Sequence, residues 1–184
     1  SFQRGDDESN VLENYRRVAK ALRCWPDDIV CSHQTHTTNI RKVTAADRGK
    51  SVIRPRDYSD IDGLITDEQG IALATFFADC VPLYFVDKTH KAIGLAHSGW
   101  RGTVSKMGAA MCRRMEEEYG TRPKDLIAAI GPSICANCYE VSEDVAELFF
   151  QMLQKMELSD ERKKDVVKPG KAPGKYQLDL WLAN

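Results

Sequence analysis

Three short stretches of this chain hold side chains able to bind a metal or activate water, and they lie far apart. They are Gln34-Thr35-His36, Ala78-Asp79-Cys80-Val81-Pro82 and Ala96-His97-Ser98-Gly99-Trp100-Arg101-Gly102. Two imidazoles and one thiolate make a borderline-soft donor set that suits Zn²⁺. Three protein donors leave a fourth position open, which marks a catalytic rather than a structural zinc. Such an ion could acidify a water or polarise a bound oxygen. The expectation is one mononuclear site per chain, built from His36, Cys80 and His97, with Zn²⁺ as the ion and Cu²⁺ as the alternative.

Each stretch also has a plainer reading. His97 falls where a strand ends, a glycine-flanked turn follows and a helix begins, a place where α/β proteins build sites. Gly99 and Gly102 let backbone approach a ligand. The new helix offers free N–H groups to an anion. Arg101 adds a permanent planar cation suited to phosphate or carboxylate. The alternative is a buried histidine beside a structural turn. Cys80, near Phe76, Phe77 and Val81, could be an inert core thiol. Asp79 argues against that, because an acid in an apolar run needs a partner. It is expected either to orient a ligand histidine, with a part in catalysis, or to cap a turn.

The other candidates are weaker. His33 points to the opposite face of an extended segment from His36 and is left out of the site. His90 falls in an exposed turn. Cys135-Ala-Asn-Cys138 is a single C-x-x-C. A structural zinc would need two further ligands there, and a redox motif a thioredoxin-like context, so it receives no role.

The elements that must position these groups follow from periodicity. Residues 10–23 carry Val11, Tyr15, Val18, Ala19 and Leu22 on one helical face, with Ser9 or Asn10 as cap. Residues 29–33 and 39–43 read as strands around a polar turn at 34–38. A charged loop covers 45–60. Strands are expected at 63–66, 71–77, 81–86, 92–96 and 126–131. Residues 103–119 read as one helix with a core-facing stripe of Val104, Met107, Met111 and Met115. A second helix runs from a Ser142 cap to about Met156. Residues 157–175 read as a flexible charged loop, and 176–182 as the opening of a helix. Both ends of the chain are expected to be trimmed. Mixed strands and helices in this order give an α/β domain, 1–184, with sheets covered by helices.

Bulk properties limit the function. The chain has 184 residues, 42% hydrophobic and 29% charged, which reads as soluble and globular. Twenty-six basic residues nearly balance 27 acidic ones, for a net charge of −1. No broad field draws the chain to nucleic acid or an anionic membrane. No apolar run approaches the roughly 20 residues of a membrane span, and no signal peptide is visible. The six cysteines are therefore expected to be reduced thiols in a cytoplasmic protein.

Taken together, Gln34-Thr-His36, Ala78-Asp-Cys-Val-Pro82, Ala96-His-Ser-Gly-Trp-Arg-Gly102, Ile130-Gly-Pro-Ser-Ile134 and Cys138-Tyr-Glu-Val141 resemble the YfiH/LACC1 family. These proteins were long labelled laccase-domain or polyphenol oxidases and later described as zinc-dependent purine nucleoside phosphorylases. The resemblance runs the length of the chain. It implies a layered α/β/β/α sandwich with mixed sheets (CNF1/YfiH-like) and metal ligation by His36, Cys80 and His97. It also implies phosphorolysis of adenosine, inosine, guanosine and methylthioadenosine, with adenosine deamination in some members. The chain departs from the family at Thr37, where glycine is usual, and the family continues past Asn184 into a segment with its own arginines.

On this reading the partners are a purine nucleoside and phosphate, in a monomer or homodimer. Arg101, with Arg16, Gln34 and Ser98, is expected to bind substrate or phosphate. The rivals are a copper-dependent polyphenol oxidase, a metal-free hydrolase with Cys80 as nucleophile and His97 as base, and a non-catalytic binding module. Multicopper oxidation needs many more histidines than the four present.

Overall fold

The computed structural model describes residue 2 and residues 5–184. Its central sheet has the order β2-β3-β6-β5-β7, with β2 Ile40–Lys42, β3 Gly63–Thr66, β5 Val81–Asp87, β6 Ala92–Ser98 and β7 Leu126–Ile130. β2 and β3 are parallel and the other pairs antiparallel, so the sheet is mixed. One face receives the helix α3, Met107–Tyr119, whose Met107, Met111 and Met115 are fully buried. Close approach depends on two glycines. A Cβ at Gly63 would meet Met107 Cε at 2.9 Å and Met111 Sδ at 2.9 Å, and one at Gly94 would meet Met111 Cε at 2.8 Å. The methionine stripe is thus core, as its helical spacing predicts.

The opposite face at the β3 end carries Leu64, which packs with Val30, Val43 and Ile71. Val30 belongs to β1, Ile29–Cys31, which pairs in parallel with β4, Ala72–Ala74. Alternation along β1 sends Ile29 and Cys31 the other way, against Ala19 of α1, Glu8–Leu22. The layers are therefore α3, main sheet, β1–β4 sheet and α1, the α/β/β/α order expected. α4, Glu143–Gln154, joins the α3 side through Phe149, Met152 and Leu153. It lies by a third sheet, the antiparallel β8-β10-β9, formed by Glu140–Ser142, Lys175–Leu178 and Val167–Pro169.

Four expectations are corrected. The 103–119 helix is two helices, α2 Trp100–Val104 and α3, separated by Lys106 in the left-handed region at φ 60°. α2 must begin at the Gly99 turn and α3 must lie along the glycine-bearing strands, and the break lets each satisfy its own constraint. Asp7, not Ser9 or Asn10, caps α1, its Oδ1 accepting the Asn10 N–H at 3.1 Å. The 157–175 stretch holds α5, Asp160–Val166, and then β9. Ser159 caps α5, acids occupy its first turn and lysines its last, so its signal is capping and dipole rather than periodicity. The 176–182 run divides: β10 ends at Leu178, and the helix-like turn comes only after it, where Asp179 accepts the Leu182 N–H on Oδ1 at 2.9 Å and the Ala183 N–H on its carbonyl at 3.2 Å. Within β10, Tyr176 and Leu178 fall two residues apart with the polar Gln177 between them, the strand period.

Candidate metal centre

Register brings the three stretches together. β2, β3 and β5 all begin at the end of the main sheet where β6 finishes. Pro82 pairs with His97 and Gly63 with Ala96. Cys80 immediately precedes β5, Asp62 immediately precedes β3, and His36 sits four residues before β2. Four stretches distant in sequence thus open onto one sheet end.

The donor atoms of His36, Cys80 and His97 all lie within 4.8 Å of one another. Cys80 Sγ is 3.8 Å from His36 Nε2, and the two imidazoles meet edge to face with centroids 5.0 Å apart. Among the described residues this is the one group of three or more His, Cys, Asp or Glu that could hold a metal ion. His97 is buried, Cys80 half-buried and His36 exposed, so the cluster opens to solvent on the His36 side. Gly99 keeps the space clear. Its backbone is ordinary extended chain, but a Cβ would meet His36 Cδ2 at 2.7 Å and Cys80 Sγ at 3.0 Å. The mixed nitrogen–sulfur donor set, its spacing and its single open side fit a three-ligand zinc site.

Behind the cluster lies Asp62, fully buried. Its Oδ1 accepts from His97 Nδ1 at 2.8 Å and from the His36 N–H at 3.1 Å. Its Oδ2 accepts from the N–H groups of Thr35 at 3.1 Å and Thr37 at 2.8 Å, and from the Thr37 hydroxyl at 2.9 Å. One carboxylate therefore fixes the ring of one histidine and the backbone turn that presents the other. That turn holds His36 at φ 65°, a conformation a non-glycine residue keeps only when its surroundings impose it. Thr37 adds the hydroxyl contact.

The electrostatics follow. Burial alone would lower His97, but the Asp62 carboxylate and the Cys80 sulfur overcome it and push the imidazole up to about 9. Burial alone would raise Asp62, but His97 and the turn N–H groups hold it at about 2. Burial and the charge of His97 lower His36, and Arg101 lowers it further. Nδ1 of His97 is committed to Asp62, which leaves its Nε2 to face the cluster. A metal would displace the proton that His97 otherwise keeps.

The remaining sequence candidates fall differently. The orienting bond offered to Asp79 is made by Asp62. Asp79 is exposed, and its backbone carbonyl accepts the Ile134 N–H at 3.1 Å. Arg101 stands beside the cluster on α2, exposed, with its guanidinium 4.2 Å above the Trp100 ring. Gln34 is engaged with backbone, accepting the Phe76 N–H at 2.8 Å and donating to its carbonyl at 2.5 Å. This fixes the loop that sets Phe77 against His97, ring centroids 5.5 Å apart. Gln34 thus holds that loop in place. Ser98 is fully buried, its hydroxyl donating to Asn184 Oδ1 at 2.7 Å. Arg16 lies on an exposed face of α1, 3.8 Å from Glu13, and lines a hollow with Lys20, Arg23 and Trp25 that contains none of the three donors. His33 accepts the Asp60 N–H at 3.1 Å, outside the cluster. Half-buried Tyr139, not singled out by the sequence, is pushed up by burial and by the nearby charges of Cys80 and Asp79.

A family model described as multi-copper polyphenol oxidoreductase laccase matches residues 1–184. The purine nucleoside phosphorylase YlmD of Geobacillus stearothermophilus is 38% identical over 184 residues, covering 98% of this chain and 64% of that protein. A protein named adenosine deaminase RL5, from an unknown prokaryotic organism, is 33% identical over 181 residues, 98% of this chain and 66% of its own length. The crystal structure of the Bacillus licheniformis hypothetical protein YfiH superposes with a TM-score of 0.85 at 34% identity, over 97% of this chain and 65% of that one. The chain spans 64% of the length of the first of these relatives. Among the described residues no helix is long and apolar enough to cross a membrane.

Proposed function

The chain belongs to the multi-copper polyphenol oxidoreductase laccase family, and from that premise we propose that it is a zinc-dependent purine nucleoside phosphorylase. The observation that carries the reading is the His36–Cys80–His97 cluster held by Asp62, with the cation of Arg101 beside it. The curated relative named a purine nucleoside phosphorylase supports the same reading. His36, Cys80 and His97 would hold one zinc ion. The ion would supply Lewis-acid polarisation of a substrate oxygen or of water.

In the reaction, a phosphate oxygen forms a bond to C1′ of the ribose as the C1′–N9 bond to the purine breaks. Arg101 carries the phosphate, since its guanidinium is exposed and supplies two parallel donors. Asp62 keeps both histidines in place throughout. Asp79, exposed beside Cys80, is available to move a proton to or from the purine or a water. Residues 1–184 form the metal-dependent domain.

A second activity has its own support. The relative named adenosine deaminase motivates hydrolytic loss of ammonia from C6 of adenosine at the same site. Multicopper oxidation is what the matching family model is described by, but the histidines of this chain speak against it. The chain has four histidines; His33 bonds the Asp60 backbone, and His90 bonds Asp87 at 2.7 Å.

The test combines metal analysis with a nucleoside assay run with and without phosphate. The reading requires about one zinc per chain, and free base with ribose 1-phosphate formed from inosine or guanosine only when phosphate is present. Ammonia from adenosine without phosphate identifies the deaminase activity. Copper with oxygen uptake on phenols, or activity that survives chelation, refutes the zinc phosphorylase.

A further inference from the structure

One motif is not absorbed by the metal site. Cys135 and Cys138 are both exposed thiols. They bracket a single 3₁₀ turn, Ala136–Cys138, closed by the Cys138 N–H donating to the Cys135 carbonyl at 3.0 Å. A four-residue turn closed in this way brings its end Cα atoms within about 7 Å. Disulfides span Cα separations of about 4.4–6.8 Å. The backbone therefore already holds the two residues at bridging distance.

The thiols also interact with each other. Their interaction holds Cys135 below the ordinary thiol range and Cys138 above it. The other thiols outside the metal cluster are disfavoured. Burial raises Cys24, Cys31 and Cys112, and Cys31 also lies 3.6 Å from the Tyr15 hydroxyl. A metal is not the better occupant of the pair, because among the described residues no third His, Cys, Asp or Glu joins it to make a binding group. The turn is also tied to the site. Ile134 just before it donates to the Asp79 carbonyl at 3.1 Å, next to Cys80, and Tyr139 follows directly.

We propose that Cys135 and Cys138 are a redox modification site, a dithiol that closes reversibly to an intramolecular disulfide on reaction with a low-molecular-weight disulfide such as oxidised glutathione. In the first step the Cys135 sulfur, as thiolate, bonds to one glutathione sulfur. The S–S bond of the oxidant breaks, and one glutathione leaves as a thiolate that takes up the proton Cys135 lost. In the second step the Cys138 sulfur attacks Cys135, and the second glutathione leaves, taking the Cys138 proton. Two cysteine sulfurs are oxidised, two glutathione sulfurs are reduced, and no other co-reactant is needed.

The test equilibrates the full chain in reduced and oxidised glutathione at varied ratio, traps free thiols with an alkylating agent and maps each cysteine peptide by mass. The peptide spanning Cys135 and Cys138 should lose the mass of two hydrogens and escape alkylation. Its ratio of oxidised to reduced form should fall with the square of reduced glutathione at fixed oxidant, while Cys24, Cys31 and Cys112 remain alkylated. Cys138→Ser should instead trap a glutathione adduct on Cys135, several-fold more than Cys135→Ser traps on Cys138. A pair that stays alkylated in excess oxidant, a bridge from either residue to Cys80, or a larger adduct yield on Cys138 would overturn the proposal. Far-UV spectra of the serine variants matching the parent show that any loss of bridging is not unfolding.

Discussion

Asp62→Asn is the most informative single substitution. It keeps the size of a side chain that has no solvent exposure but replaces one acceptor oxygen with a donor. One oxygen of Asp62 serves His97 Nδ1 and the His36 N–H, and the other serves Thr35 and Thr37. Whichever way the amide turns, it faces donors with a donor. A buried group left unsatisfied costs about 1–3 kcal/mol, so the variant should lose roughly 2–4 kcal/mol. The ionic part has a pH signature. His97 is held at about 9 against 6.5 for a free imidazole, so its contribution is complete below about 6.5 and disappears as pH rises through 9. Asp62 at about 2 sets the other edge: the contribution is present above the ordinary carboxylate range and lost as pH falls through 2. The two shifts describe one pair and are counted once, at no more than about 3 kcal/mol. Urea unfolding of the metal-free chain should therefore show the wild type and variant furthest apart near pH 6, the gap narrowing by pH 9 to 10 to the pH-independent cost of the mismatched amide, about 1–3 kcal/mol. NMR titration of His97 should show its pKa falling toward the ordinary value in the variant, and zinc binding should weaken about 10–100-fold. A variant whose His97 still titrates near 9, or whose zinc affinity is within threefold of wild type, would refute Asp62 as the organiser of the site.

Three further outcomes follow. Gly99→Ala needs no backbone change but drives its Cβ into His36 and Cys80; zinc affinity should fall at least about tenfold with little change in the melting temperature of the metal-free chain, measured by titration and calorimetry. Gly63→Ala acts on packing, because its Cβ would meet Ile40 Cγ1 at 2.8 Å as well as two methionines; denaturant unfolding should show a loss of about 1–3 kcal/mol. Because zinc must displace the His97 proton, its apparent affinity should rise about tenfold per pH unit between pH 6.5 and 9; competition with a chelator of known proton uptake checks this, and a flat profile would mean that His97 is not a ligand.

The legible part of the fold was the part with strong periodicity. The β5 and β6 alternation and the 3.6-residue methionine stripe of α3 both follow from burial of one face. The helix break at Lys106 was illegible because no glycine or proline marks it; it arises from where α2 and α3 must lie, which is tertiary information. α5 was missed because its charged sequence has one buried residue, Val166, and so no apolar stripe. β10 was misread because it is only four residues long and its apolar pair, Tyr176 and Leu178, runs straight into the apolar turn at 180–183, so one helical period was fitted across both.

The site divides along the same line. Ligand atoms announce themselves by type, since histidine and cysteine are few, whereas the group that orients them is one of 27 acids. Asp79 drew attention because it adjoins Cys80, yet it sits on an exposed loop where a carboxylate needs no partner. The physical argument applied to Asp79 belongs more strongly to Asp62. In Ile61-Asp62-Gly63-Leu64-Ile65 an acid stands at the head of a strand buried along its whole length. A charge there cannot be left unpaired, and the donors able to meet it must come from whatever reaches that sheet end. The turn at 35–37 and the last residues of β6 reach it, and both carry a histidine. The requirement that a buried carboxylate be satisfied thus draws the two imidazoles to one side of it, with Cys80 delivered by the strand paired to β6.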